Sequence, residues 1–419
     1  MLLSLKLNRF MIFNHEVKFS MEANMHYKRF STNVCTINDV NVLKSALIFG
    51  PNNTGKTNFV RAIDAMKSIM LNKFAGVEPS FYAERRIMEM EIAFLEEGKE
   101  YVFEIRYDNE ADEYIYERFA EIKRDKYKNR SQHNLLLRDV KNRRFEAVDV
   151  DLIPAMRVAA RNNILIYLID ADSFPVLGAI RHIMQAFCSR IDIINMNNMP
   201  LQKTIDMMKM SAEDSREVAS FVVNSDLWMD NFRFADDDEF REAYEVLKKE
   251  PGFQENALWK SASFTDLLRL VSEYHGVAVP SMSFDSTGTK KIIAIASYVI
   301  DAIKHGRILV VDDLDNSLHF RLTREIIMMF NNELNTDGQL IATVHDISLL
   351  DCQTLFRKEQ IWFTHKDEER VYLYSLSEFT ANENGVRGDS DLLNKYKQGV
   401  FGALPEPDLF ETLLEVSGK

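Results

Sequence analysis

Residues 50–57 read Gly-Pro-Asn-Asn-Thr-Gly-Lys-Thr, a full match to the pattern G-x-x-x-x-G-K-[ST]. No other segment constrains the fold as tightly, because this pattern works only between a strand and a helix. Gly50 and Gly55 let the backbone turn sharply enough to aim successive N–H groups at a polyphosphate. Lys56 adds a point charge for the outer phosphates, and Thr57 offers a hydroxyl to Mg²⁺. Asn52, Asn53, Thr54 and Asn58 complete the expected cradle. Ser45–Phe49 is a short apolar run that reads as a buried strand. Thr57–Leu71 carries Val60, Ile63, Met66, Ile69 and Met70 at helical spacing. A helix N-terminus then faces the phosphates.

At 419 residues with 46% hydrophobic content, the chain has material for two or three folded domains. Its formal net charge of −13 weighs against a protein that coats nucleic acid by neutralising phosphates, while leaving room for a local basic groove. The three cysteines, Cys35, Cys188 and Cys352, are far apart and odd in number, which suggests neither a disulfide framework nor a zinc site. They read as filler in packed regions. The first residues alternate apolar and polar, as a strand does and a signal peptide does not. No apolar stretch reaches the ~20 residues needed to span a bilayer, so the expectation is a cytoplasmic protein without a membrane partner.

Residues 1–50 read as two or three strands ending in the loop. Arg86–Phe119 alternates around turns at 96–99 and 108–110, which is an antiparallel meander. Lys123, Arg124, Lys126, Lys128 and Arg130, followed by Arg138, Lys141, Arg143 and Arg144, form a basic stretch that reads as an exposed hairpin or loop rather than a nucleic-acid contact. Residues 150–250 are mainly helical in pattern, with segments such as Ser211–Val223 and Asp237–Lys249. Leu268–Tyr274 and Val277–Phe284 read as strands, Lys290–His305 and Leu322–Leu334 as helices, and Arg307–Val311 and Gln339–Val344 as strands.

A phosphate loop needs a carboxylate partner, and Ile308–Asp313 supplies one: four apolar residues followed by two acids. In open α/β sheets, ligands sit at the carboxyl ends of strands. Asp312 is the natural Mg²⁺-side carboxylate, and Asp313 is placed to orient an attacking water. Ser286-Thr287-Gly288-Thr289 precedes the 290–305 helix; it is a simple N-cap or a second anion site. With one loop already holding the phosphates, the second reading implies binding across a dimer through Ser286, Gly288 and Thr289. His345, after an apolar strand, is placed to sense a γ-phosphate, although a lone histidine is more often structural.

The order of these pieces is similar to that of ABC-type ATPase heads, in which Asp315 would lie in the segment that crosses the dimer interface. The wide gap between Lys56 and Asp312 resembles the inserted domain of SMC-like and DNA-repair ATPases and is unlike a transporter subunit. Three segments, Ser286–Lys291, Val311–His319 and Val344–Asp351, resemble the ABC-like, AAA-type ATPases of abortive-infection and restriction-linked operons, the RloA/AbiLi-like group. The tail motif Tyr396-x-x-Gly399-x-Phe401-Gly402-Ala403-x-Pro405 is also similar to that group. The likeness covers about 1–120 and 265–405.

It implies an α/β ABC-type P-loop ATPase head with an antiparallel β-subdomain, divided as 1–124, a mainly helical lid at 125–264, and 265–419. It also implies ATP and Mg²⁺ as ligands, a homodimer or higher homo-oligomer of heads, and control of a separate toxic effector, often a Toprim-type nuclease, in antiphage defence. The other reading is a DNA-repair or chromosome-associated ATPase that binds DNA itself. Two departures stand out: Asp313 replaces the usual Glu, which predicts slow hydrolysis, and His319-Phe320 stands where the group often has His-Pro. The Q-loop glutamine has no placeable counterpart.

Overall fold

Alternation at the N-terminus does build a strand. Leu2–Asn8 pairs antiparallel with Val17–Ser20 on one side and Ile87–Glu96 on the other. The computed structural model of the chain describes residues 1–73, 87–124, 130–198, 200–225, 228–249, 262–380, 385–386, 390–404 and 409–417. They form two compact units, Met1–Arg190 with Ile341–Lys419, and Ile191–Leu340. The class is α/β, as the sequence pattern requires.

In the first unit the expected meander is present. Ile87–Glu96, Lys99–Asp108 and Glu113–Arg124 pair in antiparallel register, with Phe94 opposite Tyr101 and Phe103 opposite Phe119. Arg130–Asp139 and Arg144–Ala147 extend it to a seven-stranded sheet. The helix Pro175–Ser189 buries Leu177, Ile180, Met184 and Phe187 at helical spacing, and Phe187 stacks on Phe94 with ring centroids 4.1 Å apart. Residues 1–50 hold five strands rather than two or three, the last being Ser45–Phe49. That strand is buried throughout and runs parallel to Ile361–Lys366, which in turn pairs antiparallel with Val371–Ser375.

Two expectations change here. The helical insertion does not start at 125, because the strands Arg130–Asp139 and Arg144–Ala147 belong to the antiparallel sheet. The basic stretch is also not one exposed run. Arg138 is buried against Glu117, and it donates to the Ala160 carbonyl at 2.7 Å. Glu117 in turn accepts from the Leu165 N–H at 2.7 Å. Arg124 pairs with Glu100, and Arg130 with Glu22. Lys126 and Lys128 lie outside the described residues. Charge spacing in a sequence does not show which cations have a carboxylate on the neighbouring strand.

The second unit is organised by helices. Thr287–His305 packs with Gln202–Met210 and Ala212–Ser225 around Ile205, Val218, Val222, Ile292, Ile293 and Ala296. The strand Ile191–Asn195 runs parallel to Ile308–Asp312, placing Asn195 opposite Asp312. A small sheet is made by Asn231–Phe234, Leu270–Tyr274 and Val277–Pro280. The strand expected to reach Phe284 stops at Pro280, and Ser281–Phe284 forms one helical turn closed by Asp285 N–H to Ser281 O at 3.0 Å. Proline has no N–H to continue a ladder, so the strand ends there.

The three cysteines are free and buried, and burial pushes the Cys188 and Cys352 thiols up to about 12. They are packing residues, as expected. Among the described residues no helix is long and apolar enough to cross a membrane.

The Glu117–Arg138 pair generates a stability prediction. Its burial raises the Glu117 carboxyl pKa, and Arg138 opposes that shift. Truncating Glu117→Ala leaves the guanidinium buried and uncompensated, a loss of about 3–5 kcal/mol. Replacing both partners with apolar residues of similar volume should recover most of it. Urea midpoints at constant m-value measure both; equal losses for single and double variants would show that the charge pair is not what holds this region.

Candidate functional site

The phosphate loop is built around close backbone approach. A Cβ on Gly50 would lie 2.2 Å from Thr364 Oγ1 and 2.6 Å from the Thr364 carbonyl, so only glycine fits. Gly55 has φ +105°, and its Cβ would crowd Ile12, Phe13 and Val371 at 3.1 to 3.3 Å. Asn53 also takes a left-handed conformation, which asparagine tolerates. Thr54 donates to the Pro51 carbonyl at 2.7 Å and shares a 2.7 Å hydroxyl bond with Thr364. Thr364 comes from the strand parallel to Ser45–Phe49, and it was not singled out in the sequence.

Lys56 is buried and folded onto the loop, its Nζ donating to the Gly50 carbonyl at 2.7 Å and the Pro51 carbonyl at 3.0 Å. The helix Lys56–Met70 starts at Gly55, a residue with no side chain to cap it. Thr57, Asn52 and Asn53 are exposed, and Asn58 is half-buried. The Val344 N–H bonds the Ile48 carbonyl at 3.0 Å, so the exposed His345 follows directly on the chain beside the loop strand. Within the first unit, the segment that carries His345 thus lies beside the strand leading into the loop. A cavity of about 410 Å³ opens beside the loop, bounded by Pro51–Thr54, His365, Lys366, Gly399, Gly402 and Leu404. The tail motif thus packs near the loop: Tyr396 donates to the Ala403 carbonyl at 2.5 Å, and Phe401 stacks on Phe363 with centroids 5.1 Å apart. Pro405 lies outside the described residues.

The second unit carries the acidic and small-residue motifs. Asp312 is buried at the end of its strand, where the Asn195 amide donates to its Oδ2 at 2.9 Å. Asp313 turns into the left-handed region, φ +58°, and accepts from the Asn197 amide at 3.2 Å. The half-buried Asp315 sits in the next turn, its carbonyl accepting from the Leu318 N–H at 3.1 Å. Lys291 Nζ donates to the Asn316 carbonyl at 3.2 Å. Burial holds the Lys291 ammonium below its ordinary pKa, against the pull of Asp313.

Ser286 caps the helix Thr287–His305: its Oγ accepts from the Thr289 N–H at 3.1 Å. The helix accordingly starts three residues before Lys290. Gly288 is packed under the Ser317 carbonyl, 3.0 Å from where its Cβ would be. Just upstream, Asp285 is buried and accepts from Ser272 at 2.6 Å and Tyr274 at 2.9 Å, which ties the cap to the small sheet. Asn195, Asn197, Thr364 and Asp285 are the residues that motif reading missed.

The residues present suit a polyphosphate and a hard cation. Glycine cradle, buried lysine and side-chain-free helix start make an anion site in the first unit. The carboxylates of the second unit suit Mg²⁺, which takes one or two protein oxygens and completes its shell with water and phosphate. Among the described residues no three His, Cys, Asp or Glu side chains gather as a self-contained metal site.

A family model described as "AAA domain, putative AbiEii toxin, Type IV TA system" matches residues 45–186 and 197–351. Among curated proteins none matches the chain. Two solved structures are similar: an SMC head domain from Thermotoga maritima (14% identity, 89% of this chain and 98% of that one, TM-score 0.43), and an SmcHead bound to the C-winged helix domain of ScpA (14% identity, 89% and 97%, TM-score 0.45).

The loop geometry predicts the outcome of Gly50→Ala. The added methyl meets Thr364 backbone as well as side chain, and overpacking of this kind costs about 1–3 kcal/mol. The variant should unfold at lower urea concentration, and pairing it with Thr364→Ala should restore little, since the carbonyl clash persists. Full restoration by that second change would mean that the backbone contact is not limiting.

Proposed function

The chain belongs to this AAA-domain family, and from that premise and the loop geometry we propose that it is an ATP- and Mg²⁺-dependent ABC-type switch that hydrolyses ATP slowly. The observation that carries this reading is the Gly50–Thr57 loop itself, with Lys56 held at its centre by two loop carbonyls. On binding, Lys56 exchanges those carbonyls for phosphate oxygens, and the N–H groups at the start of the Lys56–Met70 helix take the remaining negative charge. Bound Mg²⁺ supplies a positive centre that neutralises charge on the phosphates.

Thr57 and Asp312 are assigned to the metal. Asp313 orients the attacking water, and Asn195 and Asn197 hold the two carboxylates in place. His345 senses the γ-phosphate. Ser286, Gly288 and Thr289 complete the site from a second copy, with Asp315 in the crossing segment. Nucleotide contacts made only in the closed dimer would couple binding to closure and hydrolysis to opening.

The biological setting follows the RloA/AbiLi-like resemblance and the toxin–antitoxin wording of the family description: a cytoplasmic antiphage switch that restrains or releases a separate toxic effector, such as a Toprim-type nuclease. Direct DNA binding is the weaker reading. Three cations of the basic stretch, Arg124, Arg130 and Arg138, already face Glu100, Glu22 and Glu117.

Two experiments test the nucleotide reading. Lys56→Ala should abolish binding of a fluorescent ATP analogue, whereas Asn197→Ala should keep binding and lower turnover by about tenfold, through a misplaced Asp313. Retained affinity in Lys56→Ala would remove the loop from the site. Gly288→Asp should prevent the ATP-dependent dimer seen by mass measurement, because a carboxylate would confront the γ-phosphate. Gly288→Ala, whose methyl meets the Ser317 carbonyl at 3.0 Å and Ser286 Oγ at 3.7 Å, should weaken the dimer far less. Equal dimer formation by wild type and Gly288→Asp would refute the shared site.

A further inference from the structure

We propose that the C-terminal helix Leu409–Ser417 of one copy docks into a groove on the second unit of another copy; the inference rests on the nucleotide-bridged dimer above. The groove has a volume of about 1670 Å³ and is confined to the second unit. Its floor is the helix Thr287–His305, and its walls are Ala212–Ser225 and Phe320–Asn331. Phe221, Ile292, Ile300 and Leu322 make it apolar inside. Its lining runs along the floor helix from Ser286 and Gly288 to Lys304.

The occupant has the matching form. Leu409, Phe410, Leu413, Leu414 and Val416 are all exposed, between 37% and 81%. The first four fall at i and i+4 spacing and share a face, as helix-in-groove ligands do. A nine-residue helix is marginal in water without a surface to pack on. Its sequence carries Glu411 and Glu415 and no cation. On the groove walls, Arg216 donates to the Ala212 carbonyl at 3.0 Å, and among the described residues neither Arg216 nor Arg321 has a carboxylate partner. Glu213, Glu217 and Glu325 share those walls, and Glu217 is paired with Lys304 at 2.9 Å, which leaves Arg216 and Arg321 to face an acidic helix.

The tether identifies which copy supplies the helix. Leu404 borders the cavity beside Pro51–Thr54. Only residues 405–408 separate it from Leu409, so Leu409 stays within about 18 Å of Leu404 at full extension. The helix is therefore tethered to a point that borders the cavity beside its own copy's phosphate loop. In the nucleotide-bridged dimer that loop faces Ser286 and Gly288 of the other copy, which is where the other copy's groove begins. Docking would add contacts that form only in the closed state, and so would lengthen the closed interval.

The test mixes two full-length variants, Leu413→Cys and Ser220→Cys, with a non-hydrolysed ATP analogue under mild oxidation. The native cysteines are buried, so the background is low. A covalent heterodimer that needs the analogue is expected. A second measurement uses the double substitution Phe410→Glu with Leu413→Glu, both at exposed positions, and should raise the dissociation constant of the analogue-bound dimer about tenfold or more. A wild-type dimer with no heterodimer cross-link and an unchanged constant overturns the docking and leaves the nucleotide clamp standing. A chain bearing both cysteines that cross-links only within itself shows that the occupant is its own helix, and also overturns the proposal. No wild-type dimer with the analogue defeats the clamp, and this inference falls with it.

Discussion

The contact between Gly50 and Thr364 sets the frame for the phosphate loop. Parallel pairing brings Phe363 opposite Phe49, so Thr364 meets the first residue of the loop. With no side chain on Gly50, the loop backbone lies against Thr364, and the Thr54 hydroxyl is hooked to the Thr364 hydroxyl. That closes the turn around Lys56 and starts the following helix with its N–H groups at the mouth. The anion site thus depends on a neighbouring strand far along the chain as much as on the motif. A chain with the motif but an apolar residue at 364 would lose the hook, and a bulky one would lose the clearance as well.

This explains what was legible in the sequence. Strand, glycine loop and amphipathic helix are local features with strong periodicity, and the structure has them where the pattern puts them. The acidic strand Ile308–Asp312 was equally plain, being a run of apolar residues ended by carboxylates. Of the two readings of Ser286, the structure has the N-cap; a segment facing a second copy is the one proposed above. The tail motif, read only as a likeness, turns out to border the cavity beside the phosphate loop through Gly399 and Gly402, with Tyr396 bonded to the Ala403 carbonyl within the tail.

What was not legible depends on register and burial. Asn195 and Asn197 lie in a short asparagine-rich stretch without a motif, and they gain meaning only when Ile191–Asn195 pairs in parallel with Ile308–Asp312. Arg138 reads as one more cation in a basic run until Glu117 appears opposite it on the adjacent strand. Thr364 is an ordinary strand residue until Gly50 is placed against it. Pro280 did carry a signal, since proline ends a ladder, but the apolar residues after it suggested a longer strand.

Asp313 shows how these hidden partners bear on rate. Its side chain is one methylene shorter than a glutamate would be, and its backbone takes the left-handed conformation. Asn197 donates to one carboxylate oxygen, and Asn197 is itself bonded to the Asn316 amide. Lys291 braces the same turn through the Asn316 carbonyl. An oxygen engaged by an amide is well positioned but less available to a water, and a carboxylate has only about four acceptor sites to divide. The network therefore trades availability for position. In the proposed reaction that favours a carboxylate which is always correctly aimed and only weakly assisting, and this suits a closed state meant to persist. Speed would require both a longer arm and a freer oxygen, and the turn held by Asn197 and Lys291 offers neither.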